Sequence, residues 1–249
     1  MMTTILILGP FVLVWAIAAL FYALGRRRAR QLQLDEITFA QSVRQRLSPG
    51  MMSRPRTWMA IKSRNPEDVA RSMGLIQLKP CANGDGLAGM ERDQLFVSSP
   101  INGWVVVFGS CLPGAESDID QCFRYLADTS ERVGHVQYFH GNPILGHHAW
   151  VKVIERRVTR AYVWAGETMW NQGEPTIAEK KSGMKCFDYF ASDDEEGAYH
   201  LWETVRQNVE QLPVLASIWS VDPAALEGEG LQAKPGWLGR LRVWRSEKN

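Results

Sequence analysis

The chain has 249 residues, of which 45% are hydrophobic and 22% charged, enough apolar material for one ordinary domain and too much for wholesale disorder. Its formal net charge of +1 is unevenly spread: four arginines stand within residues 26–30, five basic residues and one acid within 234–249, and the body between them is net acidic. Nucleic acid wants a basic face on the domain itself, so no nucleic-acid partner is expected; an anionic membrane surface near both ends suits the pattern better.

Residues 1–25 carry no charge, and Ile5–Leu24 is a twenty-residue apolar run, about 30 Å as a helix. Arg26, Arg27, Arg28 and Arg30 follow at once, where a secretory signal would instead need basic residues in front and a small-residue cleavage site behind. The run therefore reads as a single transmembrane anchor over 1–25, with the following domain in the cytoplasm by the positive-inside rule. Residues 26–54 read as a basic juxtamembrane segment and stalk, with Phe39, Val43 and Leu47 on one helical stripe and a break at Ser48-Pro49-Gly50.

From 55 to 226 the pattern predicts an α+β domain with a largely antiparallel sheet. Strands are expected over 57–62, 75–79, 94–99, 104–110, 135–140, 148–154, 158–164 and 215–221. Helices are expected over 65–73, 117–133 and 199–211, and a short one from Asp222. Asn102-Gly103 between two apolar runs signals a hairpin, and Glu155-Arg156-Arg157 a second tight connection. Asn83-Gly84-Asp85-Gly86 reads as a turn, and 165–198 as loop-rich. The tail over 227–249 carries Trp237, Leu241 and Trp244 at i, i+4 and i+7; it reads either as an interfacial helix beside the anchor or as an unstructured end.

Four scattered cysteines form no C-x-x-C pair and are expected to be reduced. Four of the five histidines cluster at His135, His140, His147 and His148, but their parity sends them to alternate faces and no H-E-x-x-H accompanies them, so no metal is expected. No nucleotide loop or serine elbow occurs, and no cofactor is expected. The most distinctive stretch is 162–174. There Trp164, Glu167, Trp170, Asn171 and Glu174 can line a ligand site, or the tryptophans can belong to the core and the glutamates to solvent.

The segments INGWVVVFGS (101–110), HHAWVKV (147–153) and YVWAGETMWNQGE (162–174) resemble an uncharacterised family of bacterial membrane-anchored α+β domains. That resemblance implies a bacterial source and no assigned activity, and it carries over no catalytic residue. Two functions are expected from different classes. The first is a membrane-tethered cytoplasmic binding or scaffold domain for a protein partner or small ligand. The rival is a tethered hydrolase using Glu167 or Glu174 with a nearby histidine.

Overall fold

A computed structural model describes residues 57–189, 195–228 and 230–241, with 195–200 in backbone only. The anchor and stalk expected over 1–54 lie outside the described residues. Among the described residues no helix is long and apolar enough to cross a membrane. All of them fall in one compact unit, 48–249.

Among the described residues nine strands form one antiparallel sheet: β1 (Thr57–Lys62), β2 (Leu75–Ala82), β3 (Gln94–Val97), β4 (Trp104–Phe108), β5 (His135–Asn142), β6 (His147–Ile154), β7 (Arg157–Trp164), β8 (Thr168–Gln172) and β9 (Pro235–Leu241). Their spatial order is β2-β9-β3-β4-β1-β5-β6-β7-β8. Helices α1 (Pro66–Ser72) and α3 (Ile119–Val133) pack on one face. On the other lie α2 (Asn83–Gly89), α4 (Ile177–Lys181), α5 (Glu195–Trp219) and a 3-10 turn (Pro223–Glu227). The α+β class with an antiparallel sheet is thus as expected.

Both faces of the sheet are covered, and they differ in chemistry. The α1/α3 face is mostly aliphatic, with Met59, Ile61, Val105, Val107, Val151 and Val163. The α5 face is aromatic: Trp58, Phe96, Phe108, Phe139, Trp150, Tyr162 and Trp164. Alternation along β1 and β4 to β7 sends successive residues to opposite cores, broken in β7 by an irregularity that leaves both Val158 and Ala161 on the aliphatic side. Helix boundaries follow local chemistry. Asn65 caps α1 by accepting from the Glu67 and Asp68 N–H groups, Asp118 caps α3 from Gln121 N–H, and Gly134 closes α3 at φ 85°.

The Asn102-Gly103 hairpin forms with both residues at positive φ, 52° and 81°, as the right-handed twist of a two-residue turn requires. Glu155 and Arg156 make the second turn at φ 47° and 65°, unusual for residues with side chains. The end of α3 holds it: Glu155 N–H donates to the Gly134 carbonyl at 2.8 Å and Arg156 N–H to Ser130 Oγ at 2.8 Å.

Four expectations need correction. The strand expected over 215–221 is helix, because α5 runs through Pro213 to Trp219. Its buried residues Val205, Leu212, Leu215 and Ala216 keep helical spacing, while exposed Val214 and Ile218 made the run look continuously apolar. Asn83-Gly84-Asp85-Gly86 opens a short helix in place of a turn. There Gly86 lets α2 lie against the Phe96 ring, which a Cβ would meet at 2.3 Å. The loop-rich stretch contains β8 and α4. Finally, the domain does not stop at 226: residues 235–241 of the expected tail are β9, paired on both sides, with β2 and with β3.

The two outer strands are protected against further pairing. β2 carries a bulge between Ile76 and Lys79, with Gln77 at φ 54°, and Pro80 interrupts its donors. At β8 the Tyr189 hydroxyl accepts from Asn171 N–H at 2.7 Å and lies 3.3 Å from the Asn171 carbonyl.

Candidate functional site

The five residues singled out in 162–174 do not converge. Trp164 ends β7 inside the aromatic core, 4% exposed and against Phe187 at 4.8 Å. Trp170 sits on the opposite face, edge-on to Phe123 of α3 at 6.0 Å. Strand parity separates them: Trp170 lies opposite Val163, not Trp164. Glu167 and Glu174 are exposed. Only Asn171 enters a buried network, and its role there is structural.

That network centres on Arg160 and Glu179, each 1% exposed. Arg160 Nε donates to Glu179 Oε1 at 2.8 Å and Oε2 at 3.1 Å. Nη1 reaches Asn171 Oδ1 at 2.8 Å and the carbonyls of Ala161, Gln172 and Gly173, and Nη2 reaches Cys186 Sγ at 2.9 Å. Glu179 also accepts from the Trp150 indole N–H and from Thr176 N–H, closing a capping box at the start of α4. Every polar partner is used within the protein, so the network ties β6, β7, β8 and α4 together and offers a ligand nothing.

The histidines divide as their parity implies. His148 is fully buried beneath α5, with Nδ1–H donating to the Gly146 carbonyl at 2.8 Å and Nε2 accepting from Asn208 Nδ2 at 3.1 Å. Burial is the chief force pushing its imidazole down to about 3. In the unfolded chain the same ring protonates near 6.5. Below that pH the unfolded state binds the extra proton, so stability falls with acidification by up to about 1.4 kcal/mol per unit until about pH 3. Urea midpoints between pH 6.5 and 4 should therefore fall less steeply in His148→Gln than in the wild type; equal slopes would remove His148 from the acid limb.

His140, on the other face, places Nδ1 2.9 Å from Thr57 Oγ1, with its Nε2 3.7 Å from Glu116 Oε2. A carboxylate and a histidine therefore do approach each other, but neither Glu167 nor Glu174 is the carboxylate. At 3.7 Å the contact is an ion-pair approach without a hydrogen bond.

One polar cluster remains, on the aromatic face where α5 ends. The sheet register assembles it: Lys62 of β1 lies opposite Trp104 of β4, Ala60 opposite Gln137 of β5, and Gln137 opposite Lys152 of β6. His135 is two residues before Gln137, on the same face and beside Lys62. Its ring meets Trp104 edge-on at 4.9 Å. From α5, Trp219 lies under the Lys152 ammonium, 4.2 Å from ring centroid to Nζ, and its carbonyl accepts from Gln137 Nε2 at 3.2 Å. Lys152 thereby also complements the negative end of the helix.

The cluster is electrostatically incomplete. Neither Lys62 nor Lys152 has a carboxylate partner within 4 Å among the described residues. Partial burial lowers the Lys152 pKa, opposed only by the field of Glu179, which already serves Arg160. His135 is pushed down to about 4, first by burial and then by Lys152 and Lys62. Gln137 is fully buried, and its Oε1 accepts no hydrogen bond. Such an orphan acceptor is costly unless something supplies a donor.

Sequence reasoning missed this site because its members come from β1, β4, β5, β6 and α5. His135 and Gln137 at i, i+2 were legible as sharing a face; Lys62 and Lys152 join them only through register, and Trp219 only once 215–219 is known to be helix. Among the described residues no three His, Cys, Asp or Glu side chains gather as a metal site. No family model matches the chain, and no curated protein or solved structure is similar to it.

Proposed function

We propose that this chain is a membrane-tethered binding domain that takes a small ligand on the cytoplasmic side, at the cluster of Lys62, Trp104, His135, Gln137, Lys152 and Trp219. One observation carries the reading: this is where two lysines without a carboxylate partner within 4 Å among the described residues, two half-buried indoles and a buried acceptor without a donor lie together. Binding sites combine apolar walls with a few convergent polar groups, and the cluster has both. The tether rests on the uncharged run 5–24 followed by four arginines. No nucleophile with a hydrogen-bonded base lies in the cluster, which favours binding over hydrolysis.

Native mass spectrometry of the full-length protein, released from the membranes of the cells that make it, tests this. A small molecule should be retained by the wild type and lost from a Lys62→Ala, Lys152→Ala double variant of unchanged melting temperature. An empty wild-type protein that no compound of a metabolite library stabilises would overturn the reading.

A further inference from the structure

Resting on the reading of this cluster as a ligand site, we propose that it takes a phosphate group, a dianion seated between the ammonium groups of Lys62 and Lys152, with Gln137 Oε1 accepting a hydrogen bond from the same ligand.

Charge is the first argument. Half-buried Lys152 and exposed Lys62 put two positive charges on this face with no carboxylate partner within 4 Å among the described residues, and a phosphate monoester carries nearly two negative ones at neutral pH. A carboxylate would compensate one lysine and leave the other in place. Placement is the second. Lys62 stands opposite Trp104, and Lys152 opposite Gln137, so both ammonium groups rise from one face at one end of the sheet. Lysine suits this task as a compact point charge that needs no planar, forked geometry in its ligand.

The third argument is the amide. Gln137 Nε2 is occupied by the Trp219 carbonyl at 3.2 Å and faces His135 Nε2 at 3.4 Å, which fixes the flip and leaves buried Oε1 as the atom without a partner. A hydroxyl on the ligand, or the remaining proton of a phosphate, supplies the donor that Oε1 lacks. His135 is the fourth. Burial first, and then Lys152 and Lys62, push it down to about 4, and a dianion that neutralises the two lysines removes the second of these causes. The indoles of Trp104 and Trp219 displace water at the rim and strengthen the attraction.

Phosphate of this kind comes from two sources, a soluble phosphate monoester or the headgroup of an anionic lipid, and one experiment separates them. The full chain in phosphatidylcholine nanodiscs is titrated calorimetrically with inorganic phosphate and with glycerol 3-phosphate. In parallel, its melting temperature is compared between nanodiscs with and without phosphatidic acid. Binding of glycerol 3-phosphate supports a soluble ligand, and stabilisation by phosphatidic acid alone supports a headgroup. In either case Lys152→Ala and Lys62→Ala should each weaken the effect tenfold or more, with Lys152→Arg recovering part of it.

Absence of binding by every phosphate probe, or equal binding in both alanine variants, overturns the proposal. An uncharged compound that stabilises the wild type but not Lys152→Ala would reject the phosphate while leaving the ligand site in place. Failure of compounds of every charge would reject both.

Discussion

Replacing Glu179 with alanine is expected to destabilise the domain by about 3–5 kcal/mol, the range for breaking a buried ion pair from one side. The carboxylate is 1% exposed and serves three donors at once: Arg160 Nε, the Trp150 indole and Thr176 N–H. Its loss strands the Arg160 guanidinium in the aromatic core and removes the side-chain half of the capping box, leaving Thr176 N–H without its acceptor. Because the penalty comes from an uncompensated buried charge, an Arg160→Met, Glu179→Leu double variant should recover most of it. Urea midpoints of the single and double variants are the measurement. A single-variant loss below about 1 kcal/mol would mean that water reaches the guanidinium, against its burial.

The second large effect concerns β9. Deleting residues 230–249 is expected to abolish cooperative unfolding altogether, since the strand lies between β2 and β3 and pairs with both. The deletion strips two hydrogen-bonded borders and the buried parts of Trp237, Leu238 and Leu241, a loss comparable with the whole stability of an ordinary domain, about 5–15 kcal/mol. A milder variant makes the same point: a Cβ at Gly236 would lie 2.6 Å from the Val97 carbonyl oxygen, so Gly236→Val should cost about 1–3 kcal/mol. An interfacial tail would behave in the opposite way, losing vesicle binding while the fold survives. Near-ultraviolet circular dichroism of the truncated chain, with its urea transition, separates the two outcomes.

The fate of β9 shows where legibility ended. Trp237 and Leu241 are four residues apart, a spacing that fits one face of a helix and equally one face of a strand. In the sheet both turn to the aliphatic core while Leu238 turns to the aromatic one. Gly236 and Gly239, which weaken a strand by propensity, are there because neighbouring strands and side chains approach too closely for a Cβ. By contrast the Asn102-Gly103 hairpin, the Asp118 cap and the alternation of β5 to β7 were legible, because each is decided by a few adjacent residues. The same locality misled over 162–174. Two tryptophans in one short stretch looked like a site, yet a strand reversal places Trp164 and Trp170 in different cores. The cluster around Gln137 has the reverse character, being invisible along the chain and assembled by pairing.

Synthesis from the N-terminus gives the position of β9 a kinetic meaning. β2 and β3 are made some 150 residues before the strand that joins them, so throughout most of translation β2 has no place in the sheet. The half built from β1 and β4 to β8 can pair as it emerges, whereas β2 waits with α1 beside it and its backbone unsatisfied. Such long-range closure slows folding and leaves an adhesive border exposed to chaperones and to neighbouring copies. The bulge at Gln77 and the proline at 80 then act before the native state exists, as guards on an unfinished nascent chain.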